Sequence, residues 1–324
     1  MTTLTGTPNQ ALSPDRPDHP DHPDHPDQAR RLRGLVEQRQ HRRRVADDPA
    51  ARATVIAVTS GKGGVGTSSL ALNLAIALAR LDVRVALLDA SLGLGHLDLM
   101  CGLNGYWNLS HVLAGTRRLD DITLDGPAGI QVVPGAGRLC EIADTDKNPG
   151  PDVAGQLEDF ESAHDVMVLD TGHAGHPSVN HCLGAADTVL VVTTPEPTAL
   201  ADAYATFKSM PSGTDTKLLT LINRVESAQA AGEIHQRLAR TTRIFLESEP
   251  SLAGWIPEDP EVARAIHERT PLLVQAPQSP AARAISQLAT RLIYHSPNTD
   301  NSPSFFQRLF PLTETSSKHH DNSD

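Results

Sequence analysis

The sequence predicts a doubly wound α/β domain: a mostly parallel sheet flanked by helices on both faces, with flexible N- and C-terminal tails. Three observations predict it. Short β-branched apolar runs alternate with helical stretches, the pattern of parallel strands joined by crossover helices. The first run is followed at once by a glycine-rich loop that opens a helix. The regular apolar segments are confined to the middle of a 324-residue chain, a length that suits one large domain.

Residues 1–26 are rich in Pro, Asp and His, and Asp-His-Pro repeats from Asp18 to Pro26. Repeated proline blocks a helix and leaves little to bury, so this stretch reads as a disordered spacer. Metal binding by its histidines is the less favoured alternative. Residues 27–50 read as a basic helix and linker. Asp27 is its cap, and Leu32, Leu35 and Val36 fall on one face among arginines that run on to Arg44. A solvated arm and a docking helix remain equal readings there.

Residues 51–294 form the predicted nucleotide-binding domain. Strands are expected at Thr54–Thr59, Val83–Asp89, Gly129–Pro134, Val166–Asp170, Thr188–Thr193, Lys217–Asn223 and Leu252–Ile256. Helices are expected at Ser68–Leu81, Ala199–Ser209, Gly232–Phe245 and Pro280–Tyr294, the last with Ser279 as N-cap and Pro280 at the first helical position. Residues 295–324 read as a flexible tail interrupted at 303–311. There Phe305, Phe306, Leu309 and Phe310 make one apolar helical face, suited to a membrane surface or to docking on the chain's own domain.

The formal net charge of −11 argues against a dedicated nucleic-acid binder, and no specific nucleic acid is expected. The three cysteines, Cys101, Cys140 and Cys182, lie far apart and in odd number. Neither a disulfide nor a metal-ligand spacing is expected of them, as suits a reducing cytosol. No apolar run approaches the roughly 20 residues of a membrane span. The expectation is a cytoplasmic protein that touches the inner face of the cell membrane only peripherally.

The chemistry begins at Gly61-Lys62-Gly63-Gly64-Val65-Gly66-Thr67-Ser68-Ser69. Glycines let backbone N–H groups turn inward around a phosphate, and the helix that follows presents its positive end to it. The P-loop pattern asks for Gly, four residues, Gly, Lys and then Ser or Thr. Gly61, Gly66 and Ser68 fit, but Thr67 stands where the lysine belongs.

Lys62–Gly66 resembles the deviant Walker A motif of the MinD/ParA family of P-loop ATPases. In that family the early lysine, matching Lys62, reaches across a dimer to the partner's nucleotide. Leu88–Asp98 resembles the family's switch I, and Asp170-Thr171-Gly172-His173-Ala174-Gly175 its Walker B and switch II. The resemblance implies ATP and Mg²⁺ as ligands, with Ser68, Asp89 and Asp170 toward the metal and Lys62, Asp89 and Asp170 as catalytic candidates. The flagellar-number regulator branch (FlhG, YlxH or FleN) is the most similar. Thr193–Ala199 resembles its TTPEPTA segment. Asn223-Arg224-Val225 and Ile256–Pro260 resemble the segments flanking adenine, which brings in Asn223, Arg224, Pro257 and Glu258. Asp27–Val36 resembles the helix by which that branch engages an FlhF-like GTPase. Iron–sulfur members need a Cys-x-x-Cys pair that is missing here; a chromosome-partitioning member is the alternative, and the helix at Asp27 argues against it.

Two residues depart from the pattern. Thr67 replaces the P-loop lysine, and Ser91 replaces the second acid of switch I, which orients water. A charge pair at about 4 Å in an effective dielectric of about 20 is worth about 4 kcal/mol. The expected protein therefore binds ATP weakly and hydrolyses it very slowly or not at all, or serves as a non-enzymatic scaffold.

Overall fold

Buried β-branched runs alternate with helices to build one eight-stranded sheet in the order β3-β4-β2-β5-β1-β6-β7-β8. The computed structural model describes residues 52–92, 95–143, 149–211, 213–246, 249–294 and 302–311. The tail at 1–26 and the helix expected at Asp27–Val36 lie outside these residues.

The strands are β1 Thr54–Ser60, β2 Val85–Asp89, β3 Leu124–Asp125, β4 Gln131–Val133, β5 Val166–His173, β6 Thr188–Thr193, β7 Lys217–Asn223 and β8 Ser251–Ile256. The helices are α1 Thr67–Ala79, α2 Leu97–Met100, α3 Leu109–Leu113, α4 Leu119–Ile122, α5 Gly137–Ala143, α6 Pro151–Ser162 and α7 Pro177–Ala185, followed by α8 Pro197–Ser209, α9 Ala228–Leu246, α10 Pro260–His267, α11 Leu272–Gln275, α12 Pro280–Tyr294 and α13 Phe305–Leu309. A short 3₁₀ turn at Pro127–Gly129 precedes β4. All pairings are parallel except the edge pair β3–β4. The alternation of strand and crossover helix produces this arrangement.

Side chains alternate between two cores across the sheet. Ile56, Val58, Val166 and Val168 face the core shared with α1 and α12. Val55, Ala57, Met167 and Leu169 face the opposite core, covered by α5, α6, α7 and α13. Strands buried on both faces need no polar alternation, which is why they read as continuous apolar runs. α12 starts as expected: the Ser279 hydroxyl accepts the Ala282 N–H at 3.2 Å.

One expectation is overturned. Cys140 on α5 and Cys182 on α7 form a disulfide, and Cys101 alone remains free. Parallel-sheet crossovers bring residues 42 apart in sequence onto adjacent helices, which spacing along the chain does not reveal. Of the two readings of the apolar face of Phe305, Phe306, Leu309 and Phe310, the structure shows docking on the chain's own domain. The face is buried in the core against α6 and α7. The Glu161 carboxylate on α6 accepts the Phe305 and Phe306 N–H groups at 2.9 and 3.3 Å. Arg308 donates to the Ala185 carbonyl at 2.8 Å and pairs at 3.0 Å with Asp187, which also holds Arg52. Four large apolar groups on one helical face satisfy a protein core as well as they satisfy lipid.

Candidate functional site

The sheet ends at its carboxyl edge on a cluster of loops, and these hold the expected residues together. β1 delivers the chain into the Gly61–Gly66 loop, and α1 starts at Thr67 on a Gly66 cap with φ +95°. A Cβ at Gly66 would meet the Asn223 amide nitrogen at 2.8 Å, and one at Gly61 would strike the Asp202 carbonyl at 2.1 Å. Glycine is thus forced at Gly61 by close approach to α8, and at Gly66 by both backbone and space. A Cβ at Gly63 or Gly64 would meet nothing within 4 Å. That side of the loop is open, and at the α1 N-terminus that follows no side chain caps the helix and no acid occupies the first turn. An anion fits that surface.

Asn223 fastens the loop to the end of β7, donating from its side chain to the Val65 carbonyl at 2.7 Å. Its other side-chain atom accepts the Arg224 N–H at 3.0 Å, which steadies the left-handed backbone of Arg224 (φ 56°). β8 lies alongside in register, Asn223 opposite Ile256. Val225 N–H bonds to the Ile256 carbonyl at 3.2 Å. The Asn223–Val225 and Ile256–Pro260 segments therefore share one edge, with Pro257 half-buried and Glu258 exposed. Asp259, which sequence reasoning passed over, accepts the Glu261 and Ala281 N–H groups, each at 3.0 Å. It pins this loop to the starts of α10 and α12, and its position before Pro260 is a helix-cap signal.

Asp89, the last residue of β2, lies in register with Asp170 of the neighbouring β5, and both are buried. Burial, reinforced by the nearby Asp89 charge, pushes the Asp170 carboxyl up to about 6. Hydrogen bonds from Ser68 and from the Gly172 N–H, the latter at 3.0 Å, oppose this. Two buried carboxylates beside a hydroxyl are hard oxygen donors that gain from a divalent cation. Among the described residues no cluster of three or more His, Cys, Asp or Glu could hold a metal alone. Mg²⁺ binds through one or two carboxylates plus phosphate and water, donors of the kind that Asp89 and Asp170 supply.

The two departures from the P-loop pattern are both turned inward. The Thr67 hydroxyl donates to Ser60 Oγ at 2.8 Å. Ser60 donates in turn to the carbonyls of Lys62 and Gly172, at 3.0 and 3.3 Å. The Ser91 hydroxyl donates to Asp89 Oδ1 at 2.5 Å. The other Asp89 oxygen accepts the Leu97 N–H at 3.3 Å. Lys62 extends away from the loop to Glu196 at 2.5 Å and to the Thr198 hydroxyl at 3.1 Å. The exposed Glu196 carboxyl is held below its usual range by that lysine. Ser69 lies one residue further along α1, where its carbonyl accepts from the Asn73 side chain at 2.8 Å.

A family model for ParA proteins, described as a NUBPL iron-transfer P-loop NTPase, matches residues 52–113. The antiactivator FleN of Pseudomonas aeruginosa is 35% identical over 239 residues, 74% of this chain and 85% of FleN. The flagellum site-determining protein YlxH of Helicobacter pylori is 33% identical over 245 residues, 74% of this chain and 81% of YlxH. Among solved structures, the MinC:MinD cell division complex of Aquifex aeolicus aligns with TM-score 0.58 at 26% identity, covering 76% of this chain and 97% of that one.

Proposed function

The chain belongs to the MinD/ParA family of P-loop NTPases, and on that premise we propose a nucleotide-responsive regulator of flagellar number or placement with little or no ATP hydrolysis. The observation that carries the reading is the contrast inside the site. The glycine cradle, with Ser68 bonded to Asp170 and Asp89 beside it, suits a Mg²⁺–nucleotide site, while Thr67 and Ser91, at the two replaced positions, bring no charge to the phosphates or the water and bond to Ser60 and Asp89.

In this reading the Gly63–Thr67 amides hold the phosphates, with Ser68, Asp89 and Asp170 turned to the metal's ligand shell. Mg²⁺, when bound, neutralises phosphate charge. Asn223, Arg224, Pro257 and Glu258 form the shelf beside the base. Lys62 leaves Glu196 to reach the nucleotide of a second copy, so the active form is a homodimer. The name of YlxH, a flagellum site-determining protein, supports the flagellar reading, and an FlhF-like GTPase is the proposed partner of the Asp27–Val36 segment. No described helix is long and apolar enough to cross a membrane. Peripheral membrane contact through Phe305–Phe310 therefore requires that segment to leave its present groove.

Titration of the purified protein with Mg-ATP, with phosphate release followed in parallel, tests the reading. Binding should be weak and release barely above background. Thr67→Lys should tighten binding by about two orders of magnitude, since a charge restored beside phosphate is worth a few kcal/mol. Turnover should return only with Ser91→Asp as well, because the two groups serve one transition state. Rapid release by the unaltered protein, abolished by Asp170→Ala, would overturn it. The rival is a scaffold without a nucleotide cycle, favoured by the same inward hydroxyls. It predicts no binding in any of these variants.

A further inference from the structure

A loop with no lysine among its phosphate ligands leaves the charge of a nucleoside polyphosphate unmatched, and the basic groups at this edge of the sheet differ in their freedom to meet it. Lys62 is engaged with Glu196 and Thr198. Arg224 stands past Asn223, at the end of β7 away from the switch segments. His176 serves as N-cap of α7, its Nδ1 accepting the Ser178 N–H at 3.2 Å. His96 begins α2, beyond the Asp89 side of the site.

His173 is placed differently. The β1–β5 pairing skips one residue, so that Val58 faces Asp170 while Thr59 faces Gly172 and Ser60 faces His173. The bulged Thr171 is turned inward, its hydroxyl bonded to the Val58 carbonyl at 3.2 Å. The irregularity carries β5 past Asp170 and sets His173 directly beside Ser60, the last residue before the glycine loop and the hydrogen-bond partner of Thr67. The Ala174 N–H closes the junction on the Ser60 carbonyl at 2.7 Å. The imidazole is exposed and folded over Gly175, where a Cβ would lie 2.2 Å from its Cε1. A side chain at 175 would push the ring aside, and Gly172 at φ +62° provides the turn before it.

We propose that His173 is a phosphate-binding residue of this site, supplying as imidazolium the positive charge that Thr67 lacks, to the terminal phosphate of a Mg²⁺-bound nucleotide. The inference rests on the nucleotide-binding reading above. It makes the affinity depend on pH, because imidazole changes charge near neutrality. Other charged or titratable groups at this edge are Lys62 from the loop, Asp89 and Asp170 from β2 and β5, Glu196 before α8, His176 before α7 and His96 before α2. Asp170, pushed up to about 6, acts in the opposite direction, because its protonation at low pH weakens the metal. His173 is therefore assessed by comparing variants at the same pH.

Calorimetric titration of the full chain with Mg-ADP and Mg-ATP at about pH 6.5 and about pH 8.5 tests this, using the unaltered protein, His173→Asn and His173→Lys. At the lower pH the unaltered protein should bind about tenfold more tightly than His173→Asn, and at the higher pH no more tightly. His173→Lys should bind more tightly than His173→Asn at both. If His173→Asn retains the affinity and pH dependence of the unaltered protein, His173 is not a phosphate ligand, although the nucleotide reading stands. If none of the three binds either nucleotide, that reading fails and the inference falls with it.

Discussion

The amide groups that begin α1 and α13 are treated in opposite ways. At α1 the first turn carries no acid and no capping side chain, and the loop in front of it is open. At α13 the corresponding amides are filled from within: Ser304 and Gln307 form a reciprocal cap, and the Glu161 carboxylate accepts the first two N–H groups. The same backbone property, a positive helix end, serves an external anion in one place and an internal carboxylate in the other. An empty helix end on a glycine loop points to a ligand, whereas a filled one points to a lock.

The largest effect expected from breaking that contrast lies at α13. Phe305→Ala, removing a fully buried ring, should cost about 3–5 kcal/mol in chemical denaturation while leaving the α1 end intact. A cost under about 1 kcal/mol would mean that α13 is not part of the folded core. Next comes the disulfide that braces α7, the helix between switch II and α13. By loop entropy, opening a bridge between residues 42 apart should cost about 4 kcal/mol. Thermal melts with and without a thiol reductant measure this, and a Cys140→Ser, Cys182→Ser variant should match the reduced protein and ignore the reductant.

The two buried acids sharpen the comparison further. Burial raises both Glu161 and Asp170, but their replacement should have opposite effects. Glu161 is held by two helix amides, and Glu161→Gln weakens both bonds. Asp170 stands in a site lacking a cation. Its folded value of about 6 against 3.8 is a raised carboxyl, so it contributes nothing unfavourable below 3.8 and its full penalty above about 6. On this group's account the unliganded protein loses stability as pH rises through that window. Asp170→Asn should therefore stabilise the unliganded protein at neutral pH by about 1–3 kcal/mol, and Mg-nucleotide should no longer raise its melting temperature. A melting temperature lowered by Asp170→Asn would contradict this account. The smallest effect is at Ser304. Removing this cap with Ser304→Ala should cost about 1 kcal/mol, detectable in the same melts.

Much of this architecture was legible along the chain. β-branched runs such as Thr188–Thr193 and Lys217–Asn223 match the observed strands residue for residue, because strands buried on both faces leave no ambiguity of period. The helices α5 to α7 were missed. They are short or weakly amphipathic and begin at Gly137, Pro151 and Pro177, residues that sequence reading takes for turns. The glycine loop and both acids were legible because backbone and charge constrain them tightly. The inward bonding of Thr67 to Ser60 and of Ser91 to Asp89 was not, since a hydroxyl near phosphate offers the same sequence signal whether it faces ligand or protein. Glu161 was equally silent: only the docked helix distinguishes it from the exposed acids around it on α6.

The seat of α13 also bears on how the protein is made. Glu161 and Phe305 are 144 residues apart in sequence. At a synthesis rate of about 5–20 residues per second, the Glu161 surface waits on the order of 7–30 s for the segment that covers it. During that interval the α6–α7 groove is an uncovered apolar surface on a nascent chain, and one half of the sheet cannot complete its core until translation is almost finished. Premature termination before Ser304 would release a polypeptide with its nucleotide loop assembled and its opposite flank bare, a substrate for chaperones and proteases rather than a shorter working protein.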